Sequence, residues 1–142
     1  MRGESVVEVR QHIAASPGTV FSYLTDPEKF VAWMGVGAEL DPRPGGRFRI
    51  DVDGKHIASG EYRHVDPPHR LVMTWGWETD AEVPPDSTVV EITLAADGEG
   101  TLLLLRHTQL PTEAQRRSHT DGWHHYTSQL RRAAEATARP TR

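Results

Sequence analysis

The chain has 142 residues, and 16 Lys and Arg against 20 Asp and Glu give it a formal net charge of −4. This length corresponds to one domain with one core, so we expect residues 1–142 to form a single domain. The absence of cysteine excludes disulfide scaffolds, thiolate zinc sites and cysteine nucleophiles, and the mild acidity argues against nucleic-acid binding, which needs a basic surface.

The first thirty residues predict one strand and two short helices. Apolar and polar side chains alternate over residues 6–13, which is typical of a β-strand with one buried face. Ser16-Pro17 and Asp26-Pro27 each combine an N-cap residue with proline at the first helical position. Proline disfavours helical conformation at the residue before it, so we predict two consecutive helices here rather than one long helix.

Between Gly35 and Leu110 apolar residues recur at every second position, which predicts strands that face a core on one side. Short turns between the strands favour an antiparallel sheet of six to seven strands. The segment 55–65 alternates poorly, so the direction in which Glu61 faces is left open. The turns are predicted at Pro44-Gly45-Gly46, Asp53-Gly54 and Asp97-Gly98.

The last segment predicts a long helix. Thr112 and Gln115 have the spacing of a capping box at its start. A helix laid across a curved antiparallel sheet buries the apolar faces of both, so we predict the α+β class. At helical spacing one stripe carries the residues expected to face the sheet: Arg116, His119, Trp123, Tyr126, Thr127, Leu130 and Ala134.

Short motifs run through about residues 5–135 in a fixed order. They are Ile13-Ala-Ala-Ser-Pro17, Val20-Phe21, Thr25-Asp-Pro-Glu28 with Trp33, Pro44-Gly-Gly-Arg-Phe48, Gly60-Glu-Tyr62, Val65-Asp-Pro-Pro68, Arg70-Leu-Val-Met-Thr-Trp-Gly-Trp77, Gly100-Thr101, His107-Thr108 and Gly122-Trp123. In this order they resemble the START-like (SRPBCC) superfamily and, within it, the bacterial homologues of the activator of heat-shock-protein-90 ATPase. The resemblance implies the helix-grip fold, in which the sheet wraps the C-terminal helix and leaves a cavity between them.

The resemblance also implies that the protein binds an apolar or aromatic small molecule in this cavity. Trp and Tyr suit such a site because each has a large apolar body and one polar group. The alternative for any one ring is that it fills the core. The residues expected to line the cavity are Trp33, Phe48, Ile50, Met73, Trp75, Trp77, His107, His119, Trp123 and Tyr126.

Two functions of other classes stay open at this point. Some superfamily members are cyclases or dehydratases, and such an enzyme would need titratable groups in the cavity, for which His107, His119 and Glu61 are the candidates. Buried histidines that are satisfied by hydrogen bonds are the commoner outcome, so the sequence favours a binding protein over an enzyme. No ligand spacing indicates a metal, and we expect no cofactor.

The third class is a co-chaperone or protein-binding module, which would need a large exposed apolar patch. The eukaryotic activator pairs this domain with a separate N-terminal chaperone-binding domain, for which this chain leaves no residues, so we expect no chaperone partner. Apolar runs such as Leu102 to Leu105 are far shorter than a membrane span of about 20 residues, and no signal peptide is evident. We therefore predict a cytoplasmic protein without a membrane partner, and a homodimer through an edge strand is left open.

Gly122 is unusual because it interrupts the long predicted helix. Glycine in a helix interior costs about 1 kcal/mol relative to alanine. We expect it to allow close packing against a strand, and the alternative is that it leaves room for a ligand.

Overall fold

A computed structural model describes residues 6–138. In this range the chain forms seven strands and three helices: β1 (Val7–Ile13), α1 (Pro17–Thr25), α2 (Pro27–Phe30), β2 (Gly37–Leu40), β3 (Arg47–Asp51), β4 (Ile57–Asp66), β5 (Arg70–Trp77), β6 (Thr88–Asp97), β7 (Gly100–Thr108) and α3 (Glu113–Ala138). The strands form one antiparallel sheet in the order β1-β7-β6-β5-β4-β3-β2. This curved sheet with a long C-terminal helix confirms the predicted α+β class and the helix-grip fold.

The two short helices begin where their capping residues predict. The side-chain oxygen of Ser16 accepts a hydrogen bond from the backbone N–H of Thr19 at 3.2 Å, and that of Asp26 accepts one from Glu28 at 2.9 Å. Each proline follows directly at the first helical position. The break between α1 and α2 therefore has the local cause that the sequence indicated.

The poor alternation of β4 has a structural reason. The register of β4 against β5 shifts between Tyr62 and His64, which is a β-bulge that changes which face each residue occupies. Tyr62 faces inward, where its ring lies 5.6 Å from that of Phe48. Glu61 precedes it and lies opposite the exposed Arg47, so Glu61 faces away from α3.

The long helix packs on the sheet through the predicted stripe. Its fully buried residues, Trp123, Thr127, Leu130 and Ala134, all belong to that stripe. The Gln11 amide of β1 donates to the Thr127 hydroxyl at 3.1 Å. Near the C-terminal end of α3, Glu135 accepts a hydrogen bond from the Ala14 backbone at 2.9 Å. These bonds fix α3 along β1, at one edge of the sheet.

The start of α3 departs from the predicted capping box in one respect. Thr112 caps the helix, because its hydroxyl accepts from the Gln115 backbone N–H at 3.1 Å. The Gln115 side chain, however, donates to Glu82 at 2.7 Å instead of returning to Thr112. It therefore ties α3 to the β5–β6 connection, residues 78–87.

The β5–β6 connection folds back over the outer face of the sheet at Gly76. A Cβ atom placed at Gly76 would lie 1.8 Å from the Pro84 carbonyl oxygen. Beside this contact the Thr74 hydroxyl donates to Asp86 at 2.7 Å, and the Trp77 backbone N–H donates to Val83 at 2.7 Å. Only glycine permits this approach, which holds the connection against the end of β5.

We expect Gly76→Ala to destabilise the fold, because the added methyl group forces the Pro84 backbone away at a cost of about 1–3 kcal/mol or more. Gly18→Ala in α1 is the matched control, since a Cβ there meets nothing within 4 Å. Urea unfolding measures both free energies. Equal stability of the two variants would contradict the account of this connection.

Within residues 6–138, no helix combines the length and apolarity needed to cross a bilayer. The sheet edges are β1 and β2, so a homodimer through an edge strand would use one of them and stays a prediction. The prediction of one domain over residues 1–142 also stays a prediction, since it reaches beyond the described residues.

Candidate functional site

A cavity of about 280 Å³ lies between α3 and the end of β5. Trp75 and Trp77 of β5 and Trp123 and Tyr126 of α3 contribute the aromatic part of its lining. An apolar cavity of about 150 Å³ can hold benzene, so this space suits a ligand of one or two rings. The other lining residues are Met34, His56, Thr79, Asp80, Gln115, Ser118, His119 and Gly122.

Trp75 is the centre of the aromatic wall. Its ring centroid lies 5.0 Å from that of Trp123 and 5.7 Å from that of Trp77, the latter in a T-shaped pair. Phe48 lies 5.6 Å away on the sheet side. These tilted and edge-to-face arrangements are favourable for aromatic pairs, so the wall is fixed by its own packing.

His107 sits behind this wall, fully buried on β7. The Trp123 indole N–H donates to its Nδ1 at 3.0 Å. Its Nε2 lies 2.8 Å from the Thr88 hydroxyl, which donates in turn to the Trp75 carbonyl at 2.7 Å. Because an indole nitrogen only donates, Nδ1 must be the acceptor and His107 the neutral Nε2–H tautomer. Burial and the neighbouring His119 lower the pKa of His107 from 6.5 to about 3.

His119 forms a second pair of the same kind on α3. The Trp77 indole N–H donates to its Nε2 at 3.0 Å, and its Nδ1 lies 2.8 Å from the Gln115 carbonyl oxygen. The Nδ1–H tautomer satisfies both partners. Burial lowers the pKa of His119, although the Gln115 carbonyl and Asp80 oppose this effect. Both histidines are therefore neutral, and their ring nitrogens are already hydrogen-bonded.

The charged groups lie at the opening of the cavity. Among the described residues no Lys or Arg lines it, while Asp80 does. His56 is held by Asp53, with Nδ1 and Oδ2 2.7 Å apart. Hydrogen bonds from His56 and Lys55 lower the pKa of Asp53 to about 2. Burial, with Asp53 nearby, raises the pKa of Tyr126, so its hydroxyl is neutral at physiological pH.

Two features of the lining residues are unusual: an indole nitrogen without a hydrogen-bond partner and an unfilled space beside a glycine. The indole nitrogen of Trp75, a residue only 1% exposed, has no hydrogen-bond partner within residues 6–138. A Cβ built at Gly122 meets no heavy atom within 4 Å. The expectation that Gly122 allows close packing against a strand is therefore wrong, because the space beside it is part of the cavity.

The ten residues predicted for the site fall into two groups. Trp75, Trp77, His119, Trp123 and Tyr126 line the cavity. The others lie outside the lining: His107 lies behind it, Trp33 donates to the Tyr23 carbonyl at 2.8 Å, and Phe48, Ile50 and Met73 are buried in the core. A ligand contact for any of the ten stays a prediction.

Sequence reasoning missed Gln115 and Ser118 as lining residues, although a signal was present. Both share one helical face with His119, Gly122 and Trp123, at spacings of three and four residues. Four further lining residues were not predicted: Met34, His56, Thr79 and Asp80. They lie outside the regular strands and helices, where no periodic pattern indicates a direction.

The fold and its aromatic cavity define a helix-grip protein of the START-like class. The profile of the family described as "Activator of Hsp90 ATPase homolog 1-like protein" matches residues 14–135. The chain therefore belongs to this family, as the motifs predicted. No curated protein matches the chain.

Three solved structures are similar to the chain. The AHSA1-like protein RHE_CH02687 from Rhizobium etli is 45% identical over 92% of this chain and 81% of its own, with a TM-score of 0.74. CalU16 from Micromonospora echinospora is 30% identical over 93% of this chain and 77% of its own, with a TM-score of 0.76.

The third is DynU16, a putative protein in the dynemicin biosynthetic locus, with 24% identity and a TM-score of 0.83. The alignment covers 94% of this chain, which spans about half of DynU16, 48% of its length. At this identity the likeness shows the fold alone.

Neutral His107 predicts a pH dependence of stability. Between its pKa of about 3 when folded and its ordinary 6.5, the unfolded chain binds a proton that the folded protein does not. The contribution of this group to the free energy of unfolding is therefore fully present above about pH 6.5 and is lost as the pH is lowered. From about pH 7 to about pH 5 this group accounts for a loss of about 2 kcal/mol.

The matched variant is His107→Gln, whose amide can accept from Trp123 and donate to Thr88 without titrating. Urea unfolding at both pH values should show a smaller loss for the variant than for the wild type. An equal loss in both proteins would mean that His107 titrates normally in the folded state.

Proposed function

We propose that this protein binds an apolar or aromatic small molecule in the cavity between α3 and β5. The ligand would lie against Trp75, Trp77 and Trp123, with Tyr126 near the opening. The cytoplasmic location predicted from the sequence belongs to this proposal. The family assignment supports the fold that creates the cavity, and the chemistry of the lining supports the class of ligand.

The observation that carries the proposal is the empty space beside Gly122. Alanine there would favour the helix by about 1 kcal/mol, and no neighbouring atom would obstruct its Cβ within 4 Å. Packing therefore does not require glycine at this position. A ligand in this space would explain the glycine, because any larger side chain at position 122 would occupy the same space.

A ligand of this size should bind weakly to moderately. Burial of about 300 Å² of apolar ligand surface contributes roughly 7 kcal/mol, and association costs at least about 4 kcal/mol. The difference corresponds to a dissociation constant of the order of millimolar. Polar anchors in the cavity would be needed to reach the micromolar range.

The three candidate acid–base residues, Glu61, His107 and His119, are poorly placed for catalysis in the cavity. Glu61 faces away from α3. Both ring nitrogens of His107 and of His119 have hydrogen-bond partners within the protein. A proton transfer by either histidine would have to break one of these bonds.

The structure also offers little to a protein-binding module. In residues 6–138 the exposed large hydrophobic side chains are Val31 and Val36, exposed by 36% and 69%. Two exposed valines present much less apolar surface than the several hundred Å² expected of a docking patch. The observations therefore favour the cavity as the functional site.

Gly122→Leu tests the proposal, because the larger side chain fills the space that the ligand would use. The probe is indane, an uncharged bicyclic hydrocarbon, and the measurement is isothermal titration calorimetry. We expect the wild type to bind indane and Gly122→Leu to bind it at least about tenfold more weakly. His124→Leu is the matched control, since His124 is exposed and lies outside the lining.

Indane that binds Gly122→Leu as tightly as the wild type would place the binding elsewhere and contradict the proposal. No binding to the wild type at millimolar indane would contradict it as well.

Gly122→Ala should separate stability from binding. The substitution removes the helix penalty of glycine, so the free energy of unfolding should rise by up to about 1 kcal/mol. Its methyl group enters the cavity, so the affinity for indane should fall. Denaturant unfolding and the same titration measure the two effects. A loss of stability would indicate that Gly122 is needed for packing.

A further inference from the structure

We propose that the ligand carries a protonated amino group on its ring system, and that the Asp80 carboxylate binds this group at the opening of the cavity. This inference rests on the proposed function and names the chemical class of ligand, a ring compound with an amino group. The ring system would fill the space beside Gly122, as indane would. The observation behind the inference is a carboxylate in the lining, with a second one beside it at the Gln115 side chain.

The β5–β6 connection carries four carboxylates, which fall into two pairs. Glu78 and Asp86 form salt bridges with arginines of β3, at 3.0 and 3.2 Å. Within residues 6–138, Asp80 and Glu82 form no salt bridge with Lys or Arg. The described part of the chain therefore neutralises the first pair and leaves the second pair negatively charged.

Asp80 and Glu82 both approach the Gln115 side chain of α3. The Gln115 amide nitrogen donates to Glu82 Oε1 at 2.7 Å and lies 3.5 Å from Asp80 Oδ2. Gln115 is uncharged, so the two negative charges that it joins repel each other. A cation bound beside them would offset this repulsion.

The Asp80 carboxylate can be reached by a ligand. Asp80 belongs to the lining and is only half-buried. Its Oδ1 accepts from the Glu82 backbone N–H at 2.9 Å, whereas the contact of Oδ2 with Gln115 is long, at 3.5 Å. Because Gln115 is itself a lining residue, Oδ2 lies on the cavity side. A carboxylate oxygen has two lone pairs, so Oδ2 retains the capacity to accept from an ammonium N–H.

The remaining groups at the opening favour a cation over an anion. No Lys or Arg is present in the lining that the structure describes. Burial keeps His119 neutral by lowering its pKa. Hydrogen bonds from His56 and Lys55 lower the pKa of Asp53 to about 2, so this carboxyl group is ionised. An anionic ligand would lose its hydration and face these like charges, whereas an ammonium group would gain a partner of opposite charge.

Three ligands with one ring skeleton isolate the charge. They are indane, 2-aminoindane, which is protonated at neutral pH, and indane-2-carboxylate. The measured quantity is the ratio of the dissociation constants of indane and 2-aminoindane, obtained by calorimetry for the wild type, Asp80→Asn and Asp66→Asn. Asp80→Asn removes the charge but keeps the size of the side chain and the Oδ1 that accepts from Glu82. Asp66→Asn changes the net charge equally at the other end of β5, where Asp66 lies opposite Arg70.

We expect the wild type to bind 2-aminoindane about tenfold more tightly than indane, because hydrogen bonds between charged groups are stronger than neutral ones. Asp80→Asn should lose most of this preference, and Asp66→Asn should keep it. Indane-2-carboxylate should bind the wild type more weakly than indane. Gly122→Leu should weaken the binding of 2-aminoindane as it weakens that of indane, because both rings use the same space.

Equal affinities of the wild type for indane and 2-aminoindane, or an unchanged preference in Asp80→Asn, would overturn this inference and leave the proposed function intact. Tighter binding of the carboxylate than of the amine would overturn the sign of the charge. An amine affinity that Gly122→Leu does not lower would mean that the amine binds outside the cavity, which also overturns the inference. Failure of both indane and 2-aminoindane to bind the wild type would overturn the proposed function itself.

A second measurement needs no variant. Dissolved ions screen the attraction between partly exposed charges, with a Debye length that falls from about 10 Å at about 0.1 M salt to about 3 Å at about 1 M. The preference of the wild type for 2-aminoindane over indane should therefore fall over this range of sodium chloride. A preference that does not change with salt would mean that the charge of Asp80 is not its cause.

Discussion

The neutral imidazole of His107 joins the helix to three strands. It accepts from Trp123 of α3, and its other nitrogen meets Thr88 of β6, which donates to the backbone of β5. A protonated His107 would turn an N–H toward the Trp123 N–H, and an indole nitrogen cannot accept a hydrogen bond. All the hydrogen bonds of this chain therefore form only when His107 is uncharged. It fixes Trp123 at a set distance from the sheet, and the cavity lies beside that fixed point. The second pair, Trp77 with His119, holds the helix in the same way nearer the opening.

Much of the fold follows from local patterns in the sequence. Ser16 and Asp26 cap the helices that their positions predict, and the inward residues of β5 and β7 have the parity that alternation indicates. The buried stripe of α3 is likewise given by helical spacing. These features succeed because each depends on neighbours within a few residues. The family resemblance then added the helix-grip arrangement, with a cavity between the sheet and the helix.

The candidate site depends on long-range contacts, and there the predictions were less complete. β2 has only four residues and received no assignment of its own, since it is defined by pairing with β3. Glu61 was undecided because of the bulge in β4. Gly122 was expected to pack closely, because a sequence shows the cost of a helical glycine but not the empty space beside it. The hydrogen-bond partners of Trp33, Trp77 and Trp123 could only be identified from the folded structure.

The central claim is that the space enclosed by α3 and β5 accepts a small uncharged ring compound. Its most direct test is an isotope-filtered nuclear Overhauser experiment on the wild-type protein saturated with indane. The account predicts contacts from indane protons to the Gly122 Hα atoms and to the ring protons of Trp75 and Trp123. Contacts confined to the exposed Val31 and Val36, or the absence of contacts to these cavity residues at saturation, would contradict it.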